Sequence, residues 1–186
     1  MRFPFLCHQP HVFRKYKADL MTDFSTGASK VLEIGSGHRH YASFCRGDYV
    51  CVDVAWSPDV VASAEFLPFR TGCFDRVVMM DVIEHVEEVS SALKECHRIL
   101  SEDGMLLIVT PNRNGFGLYD SYADPTHKHH FTWRTIETAL RNIGFELKEK
   151  IPLHLHIYFP IKSEKLRGFQ QSICVVAVKK KCTISI

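Results

Sequence analysis

Uninterrupted apolar runs alternate with helix-like segments along most of this chain. Four of the runs are rich in β-branched residues, at positions 31–34, 49–54, 76–80 and 105–109. Such runs are typical of strands that are buried on both faces of a parallel sheet. Apolar residues recur at helical spacing from 89 to 100 and from about 132 to 142, and Gly104 and Gly144 follow as stop signals. The alternation predicts an α/β fold with a doubly wound, mostly parallel sheet.

The last part of the chain breaks this alternation. Residues 145–151 and 172–178 have the composition of strands, and the segment between them contains proline and several histidines but no clear crossover helix. Parallel strands need a crossover connection, whereas antiparallel strands do not. We therefore expect a hairpin, with one antiparallel strand at the C-terminal edge of the sheet.

Helical cover of the sheet is predicted to be incomplete. The 53–75 segment has room for a short extended piece, but two prolines oppose a full helix there. Ahead of the first apolar run, Val12, Tyr16, Leu20 and Phe24 recur at helical spacing. We therefore divide the chain into an N-terminal helical lid at 1–29 and a single domain at 30–186.

Composition narrows the class of protein. The chain has 186 residues, 46% of them apolar, which suits one globular core. Its formal charge of +2 comes without a basic stripe, so no nucleic-acid partner is predicted. No apolar run reaches about eighteen residues and the N-terminus lacks a signal-peptide pattern, so no membrane association is predicted. Seven cysteines without a C-x-x-C pair favour a reducing, cytoplasmic location.

The turn after the first apolar run is the strongest sign of a ligand. Gly35 and Gly37, on either side of Ser36, allow the backbone to leave a strand sharply and approach a ligand. A dinucleotide fingerprint would need a third glycine where His40 stands, and Glu33 would repel a pyrophosphate. A carboxylate attracts an ammonium or a sulfonium instead, and S-adenosylmethionine carries both. The remaining alternatives are a turn that serves packing alone and, less favoured, a nicotinamide oxidoreductase.

Polar residues stand at the predicted carboxyl ends of the strands, where open α/β sheets bind ligands. Asp53, Asp81 and Asn112 follow the second, fourth and fifth strands. Asp53 lies at the distance from the glycine turn where nucleoside-binding folds place the acid that accepts hydrogen bonds from ribose. The alternative is that Asp53 only shapes the turn before Pro58.

Four ordered motifs resemble those of class I S-adenosylmethionine-dependent methyltransferases, in particular small-molecule enzymes with A-E-x-L-P-F and L-E-H signatures. They are VLEIGSG at 31–37, AEFLPF at 64–69, CFDRVV at 73–78 and VIEHV at 82–86. The similarity extends over about residues 30–148, with Thr110-Pro111-Asn112 as a further match. Arg39 replaces a usual glycine, and Ser63 replaces a usual aspartate.

The resemblance implies a seven-stranded Rossmann-like methyltransferase fold and a role for each matching residue. The methionine end of S-adenosylmethionine would be received by Glu33, Gly35, Ser36 and Gly37. The nucleoside would contact Asp53 with its neighbour Val54, then Ser63, Ala64 and Glu65 at the adenine edge, and Asp81 would form the wall behind the sulfonium. Residues 66–69 would form core and support the adenine pocket. The product would be S-adenosylhomocysteine.

Histidines stand where a methyl acceptor would bind. His85 and His127 are candidate general bases, which are needed only if the acceptor nucleophile is a protonated oxygen or nitrogen. Candidate substrate contacts are Asn112, His129 and His130. No metal site is predicted, because the cluster lacks cysteine or carboxylate ligands at a matching spacing. Plain loop polarity is the remaining interpretation of these histidines.

The sequence therefore predicts an S-adenosylmethionine-dependent methyltransferase that acts on a small molecule or a carried metabolite by in-line methyl transfer. The alternative is a cofactor-binding, non-catalytic or regulatory subunit of a partner protein. A homodimer is expected if a second chain completes the compact substrate side. Glu84 has a structural interpretation, in which it caps the helix that begins near Glu87.

Overall fold

The computed structural model describes residues 10–55, 57–115, 124–151 and 172–180. Its strands are β1 (Lys30–Ile34), β2 (Asp48–Asp53), β3 (Val60–Val61), β4 (Phe74–Met80), β5 (Leu100–Pro111), β6 (Phe145–Lys150) and β7 (Ser172–Lys179). The α-helices of the described residues are α1 (Pro10–Ser25), α2 (Val89–Ile99) and α3 (Trp133–Ile143), and a 3-10 helix covers Ala42–Phe44. The strands form one sheet in the order β3-β2-β1-β4-β5-β7-β6.

The pairing of the strands confirms the doubly wound, mostly parallel sheet. The first five strands pair in parallel, whereas β7 is antiparallel to both β5 and β6. The predicted antiparallel pairing of β6 with β7 is present, but the predicted edge position of the antiparallel strand is wrong, because β7 lies between β5 and β6. The difference has a physical reason. The run Ile173–Ala177 is fully buried and suits an interior strand, whereas the charged residues of β6 suit an exposed edge.

The two predicted helices that follow β4 and β5 are present, but only one ends as expected. Gly144 caps α3 in the left-handed conformation at φ 105°, which a glycine adopts without a steric cost. Gly104 is not the stop of α2, as α2 ends at Ile99 and β5 begins at the next residue.

Helices cover both faces of the sheet. On one face, Leu93 of α2 and Ile136 of α3 belong to the same buried cluster as Leu32 of β1. On the other face, Met21 of α1 packs in a cluster with Val78 of β4. The predicted N-terminal helix is therefore present and contributes to the core, while residues 1–9 of the predicted lid lie outside the described residues. The division of the chain into a lid and a domain stays a prediction.

Cover is thin on the side of β2 and β3, as predicted. The described residues between β2 and β4 include no helix, and β3 has only two residues. The side chains of Val54, Val61 and Phe66 are 71, 72 and 78% exposed. Phe66 is therefore not a core residue, whereas the neighbouring Leu67 is buried. Within the described part of the chain, no helix combines the length and the apolar character needed to cross a membrane.

Candidate functional site

The two glycines after β1 have different physical roles. Both have positive φ angles, 71° at Gly35 and 51° at Gly37. A Cβ atom on Gly35 would lie 2.2 Å from Cγ2 of Val82, so this position allows the turn to pack against the next segment. A Cβ atom on Gly37 would meet nothing within 4 Å. Gly35 is thus required by packing, whereas Gly37 borders open space that a ligand can fill.

A buried carboxylate lies at the end of the first strand. Glu33 is 2% exposed, and the hydroxyl of Tyr49 donates a hydrogen bond to it. Burial raises the pKa of Glu33 to about 7, although the hydrogen bond from Tyr49 opposes this shift. Because burial disfavours the charged form, a cation beside this carboxylate would restore its ionisation. Glu33 is therefore suited to hold a cationic group of a ligand.

Asp53, at the end of β2, holds the glycine turn in place. Its Oδ2 atom accepts a hydrogen bond from the Gly37 N–H at 2.8 Å, and its Oδ1 atom accepts from the Ala55 N–H at 3.1 Å. A carboxylate oxygen can accept two hydrogen bonds, so each atom retains one acceptor position. The hydroxyl of Ser36 is buried and has no hydrogen-bond partner among the described residues. The turn therefore brings Gly37 and Asp53 together, as predicted, and offers polar atoms to a ligand.

Arg39 explains why a glycine is usual at its position. Its φ angle is 59°, in the left-handed region that favours glycine. The guanidinium forms an ion pair with Asp59, with 2.9 Å between Nη1 and Oδ1, and lies 5.8 Å from the centre of the Tyr49 ring. Asp59 in turn accepts a hydrogen bond from the Cys51 N–H at 3.0 Å. The side chain is thus held by β2 and the segment that follows it.

The carboxylate in the segment predicted to reach the adenine contacts the start of α2. Oε1 of Glu65 accepts a hydrogen bond from the N–H of Glu88, immediately before α2, at 2.5 Å. Its Oε2 atom accepts from the hydroxyl of Ser63 at 3.3 Å, and Ala64 is buried. The interpretation of Glu84 as the helix cap is wrong, because Glu65 makes the contact at the start of this helix.

Asp81, directly after β4, is paired with a cation from the N-terminal helix. The Nζ atom of Lys17 donates a hydrogen bond to Oδ2 of Asp81. Asp81 has a φ angle of 57°, and its N–H donates to the carbonyl of Val109 at 2.8 Å. The role of Lys17 was not predicted from the sequence. The available signal was its place on the predicted helix, one turn before Leu20.

A buried carboxylate three residues after Asp81 lies close to two histidines. Glu84 is 1% exposed, and its Oε2 atom accepts a hydrogen bond from the hydroxyl of Thr110 at 2.9 Å. Burial, with a smaller contribution from the charge of Asp81, raises the pKa of Glu84 to about 8. The rings of His85 and His127 contact each other edge to face, with centroids 4.8 Å apart. The structure therefore brings the two predicted catalytic histidines together.

The loop that carries the histidine cluster is docked on the residues after β4. The N–H groups of Lys128 and His129 donate to the carbonyl of Glu84 at 2.8 and 3.1 Å. Nε2 of His129 lies 3.0 Å from the carbonyl of Val86, so this imidazole fixes the loop. Asn112 is buried, and its side-chain oxygen accepts from the Asn114 N–H at 3.2 Å. Of the predicted substrate contacts, His129 and Asn112 thus have structural partners, and His130 is half-buried in the same loop.

Comparison with known families gives a match over most of the chain. The family model described as a methyltransferase domain matches residues 6–150. A curated relative from Mycolicibacterium smegmatis, named a probable S-adenosylmethionine-dependent methyltransferase, is 31% identical over 86 residues, which are 46% of this chain and 34% of the relative. A ubiquinone biosynthesis O-methyltransferase of Acinetobacter baumannii (strain AYE) is 32% identical over 104 residues, which cover 50% of this chain and 43% of that enzyme.

Solved structures share the fold. The crystal structure of a SAM-dependent methyltransferase from Archaeoglobus fulgidus aligns with a TM-score of 0.70 and 20% identity, over 89% of this chain and 94% of that one. Identity at this level is evidence for the fold alone. The chain spans about a third of the length of the Mycolicibacterium relative.

Proposed function

We propose that this chain, which belongs to the methyltransferase domain family, transfers a methyl group from S-adenosylmethionine to a small molecule or a carried metabolite. The observation that carries the proposal is the buried carboxylate of Glu33, four residues before the open space at Gly37 in the same turn segment. Membership of the family favours this function over that of a non-catalytic subunit. The proposed product is S-adenosylhomocysteine.

The residues of the glycine turn fit this cofactor. Glu33 would hold the ammonium of the methionine end, because a buried carboxylate is stabilised by an adjacent cation. The unpartnered hydroxyl of Ser36 and the free space over Gly37 provide room and a polar contact. Asp53 would accept hydrogen bonds from the ribose hydroxyls through its remaining acceptor positions.

The adenine would lie against the thinly covered side of the sheet. Val54 and Phe66 expose apolar side chains there, and an aromatic base would cover apolar surface that is otherwise in water. Ser63, Ala64 and Glu65 would contribute their backbone to the adenine edge, because the carboxylate of Glu65 is engaged at the start of α2. Asp81 would form the wall behind the sulfonium.

When bound, the cofactor supplies a methyl group on a sulfonium, which is already a strong electrophile. The protein then contributes mainly by holding the acceptor in line with that methyl group. Proximity and orientation can lower the activation free energy by about 7–11 kcal/mol. His85 and His127, whose rings contact each other, would lie on the acceptor side and take the proton of a hydroxyl or amine nucleophile. Asn112 and His130 would contact the rest of the acceptor.

Thermal unfolding with S-adenosylhomocysteine tests the cofactor part of this proposal. A ligand that binds only the folded state stabilises it by about 2.7 kcal/mol at one hundred times its Kd. We expect a concentration-dependent rise in Tm with S-adenosylhomocysteine and none with NADH. The opposite preference would overturn the proposal in favour of a nicotinamide enzyme.

Release of S-adenosylhomocysteine from S-adenosylmethionine tests the catalytic part. Among the candidate acceptors to be tested, those with a hydroxyl group come first, because one curated relative is named an O-methyltransferase. Amine and carbon acceptors follow. Gel filtration with and without the ligand tests the proposed homodimer, and cell fractionation tests the proposed cytoplasmic location.

A further inference from the structure

We propose that Glu84, His85 and His127 bind a divalent transition-metal cation on the acceptor side of the site. One ligand atom from each of these side chains lies within 4.8 Å of the other two. Two imidazoles and one carboxylate form a donor set that suits zinc, iron, cobalt or nickel. Zinc–ligand distances of about 2.0–2.2 Å place tetrahedral ligands about 3.4 Å apart. Small side-chain rotations therefore bring the three groups to bonding distance.

The carboxylate of Glu84 has an oxygen that calls for a partner. Oε2 accepts a hydrogen bond from Thr110, whereas Oε1 is buried and has no hydrogen-bond partner among the residues that the structure describes. Burial of a carboxylate oxygen without a partner is unfavourable. A cation at Oε1 would satisfy this atom with the strongest interaction available to it.

Both imidazoles have a polar partner of the kind that orients a metal-binding histidine. Nδ1 of His85 lies 3.2 Å from the carbonyl of Thr126. A carbonyl only accepts, so Nδ1 carries the proton there and Nε2 keeps a lone pair. Nε2 of His127 lies 3.8 Å from Oδ2 of Asp124. Metal-binding histidines commonly direct their other nitrogen toward a backbone carbonyl or a carboxylate.

The three side chains are also held in place before any ligand binds. They come from two segments, one after β4 and one before α3. The carbonyl of Glu84 accepts hydrogen bonds from the N–H groups of Lys128 and His129, which join the two segments. The imidazole of His129 adds a contact to the carbonyl of Val86 at 3.0 Å. A site that is fixed by its surroundings costs less to order when it binds a cation.

The catalytic meaning of this cation rests on the proposed function, and with the cation bound His85 and His127 would act as its ligands and not as general bases. Three protein ligands leave coordination positions open, as in catalytic zinc sites. Asp81, three residues before Glu84, belongs to the proposed cofactor site. A methyl acceptor would therefore fill an open position with the oxygen or nitrogen that is methylated. The cation would lower the pKa of that hydroxyl or amine, so that its proton passes to solvent when the methyl group leaves the sulfonium. This assigns the acceptor to molecules with a metal-coordinating hydroxyl or amine, rather than to carbon nucleophiles.

Cobalt titration of the full chain without an affinity tag tests the cation site directly. We expect one equivalent of Co²⁺ to bind, with the visible absorption that is typical of Co²⁺ at low coordination number with nitrogen and oxygen ligands. Loss of an outer partner already costs about 10–100-fold in metal affinity, so Glu84→Gln and His127→Gln should each weaken Co²⁺ binding by at least about 100-fold. His38→Gln is the matched control, because it removes one ring of an exposed histidine pair, with centroids 5.7 Å apart.

Two outcomes would overturn the inference. One is the absence of saturable Co²⁺ binding, and the other is Co²⁺ binding that survives His127→Gln, which would indicate other ligands. Thermal stabilisation by S-adenosylhomocysteine, measured in EDTA, confirms that each variant is folded. It also separates the two proposals: without this stabilisation the proposed function fails, whereas stabilisation without Co²⁺ binding refutes the cation site alone.

Discussion

Lys17 in α1 donates a hydrogen bond to the carboxylate of Asp81, 64 residues later in the chain. The side chain of Lys17 is 14% exposed and that of Asp81 is 44% exposed. This contact ties the N-terminal helix to the carboxyl end of β4, at the place where we propose that the sulfonium lies. A protein cation therefore already occupies the acid that a cationic cofactor would approach.

Replacing Lys17 should strengthen cofactor binding. In Lys17→Met the ammonium no longer repels the cations of S-adenosylmethionine. Because the Asp81 side of this pair is open to solvent, the repulsion is worth about 0.2–1 kcal/mol. We expect a Kd about two- to fivefold lower by calorimetry, with a smaller difference at high salt. Lys94→Met, on the exposed side of α2, should leave the Kd unchanged. Weaker binding in Lys17→Met would mean that Lys17 itself contacts the ligand.

Alanine at Gly37 should separate ligand binding from stability. Gly37 and Gly27 both have positive φ angles, 51° and 78°, and a Cβ atom on either would meet nothing within 4 Å. Each alanine variant should therefore lose about 1 kcal/mol of unfolding free energy, from backbone strain alone. Only Gly37→Ala should also weaken binding of S-adenosylhomocysteine, by about tenfold or more, because its methyl group enters the ligand space. Equal binding by both variants would remove Gly37 from the site.

Glutamine at Glu33 should stabilise the protein at alkaline pH. The pKa of Glu33 is raised from 4.5 to about 7, so the folded state holds this proton more tightly than the unfolded state. Tyr49, Arg39 and Asp53 are the titratable groups that act on it. Below pH 4.5 both states are protonated and nothing is lost. As the pH rises to 7, the wild type loses stability that Glu33→Gln retains.

Urea unfolding at pH 5 and pH 8 measures this difference. We expect the advantage of Glu33→Gln to grow by about 1–3 kcal/mol between the two values. The same variant should bind S-adenosylhomocysteine more weakly at pH 8, because it lacks the charge. Glu146→Gln, at an exposed position, is the control. A variant that follows the pH dependence of the wild type would show that Glu33 is ionised throughout.

Two substitutions at Arg39 should isolate the cost of its backbone. Arg39→Ala and Arg39→Gly both remove the ion pair with Asp59, but only glycine adopts φ 59° without strain. Arg39→Gly should therefore be more stable than Arg39→Ala by about 1 kcal/mol in chemical denaturation. If the two variants were equally stable, the turn would have relaxed in both of them.

Much of the fold was predictable because its signals are local. The buried strands are continuous apolar runs, and Gly144 marks the end of α3 by its conformation. The position of β7 was not predicted. A hairpin pattern predicts that its two strands pair with each other, but not which of the two also pairs with the rest of the sheet. The contrast between the buried run Ile173–Ala177 and the charges of β6 held that information.

The candidate site was predictable where the chain turns directly out of a strand. Gly37 and Asp53 meet by a hydrogen bond, as their places after β1 and β2 indicated. Contacts between distant segments were not predictable from spacing. Lys17 reaches Asp81 from another element, and Glu65 rather than Glu84 contacts the start of α2. The burial that raises the pKa of Glu84 depends on the tertiary fold, so no local motif announces it.

The interior position of β7 limits how much of the sheet can form while the chain is still being synthesised. β5 is synthesised before β7. Among the described strands, only β7 pairs with the second edge of β5, and β6 pairs with no strand other than β7. Until residues 172–179 have left the ribosomal exit tunnel, the nascent chain exposes the unpaired edge of β5, which is an apolar strand. Such edges are sites of aggregation. We therefore expect ribosome-stalled chains that lack β7 to bind chaperones, and full-length chains to be released from them.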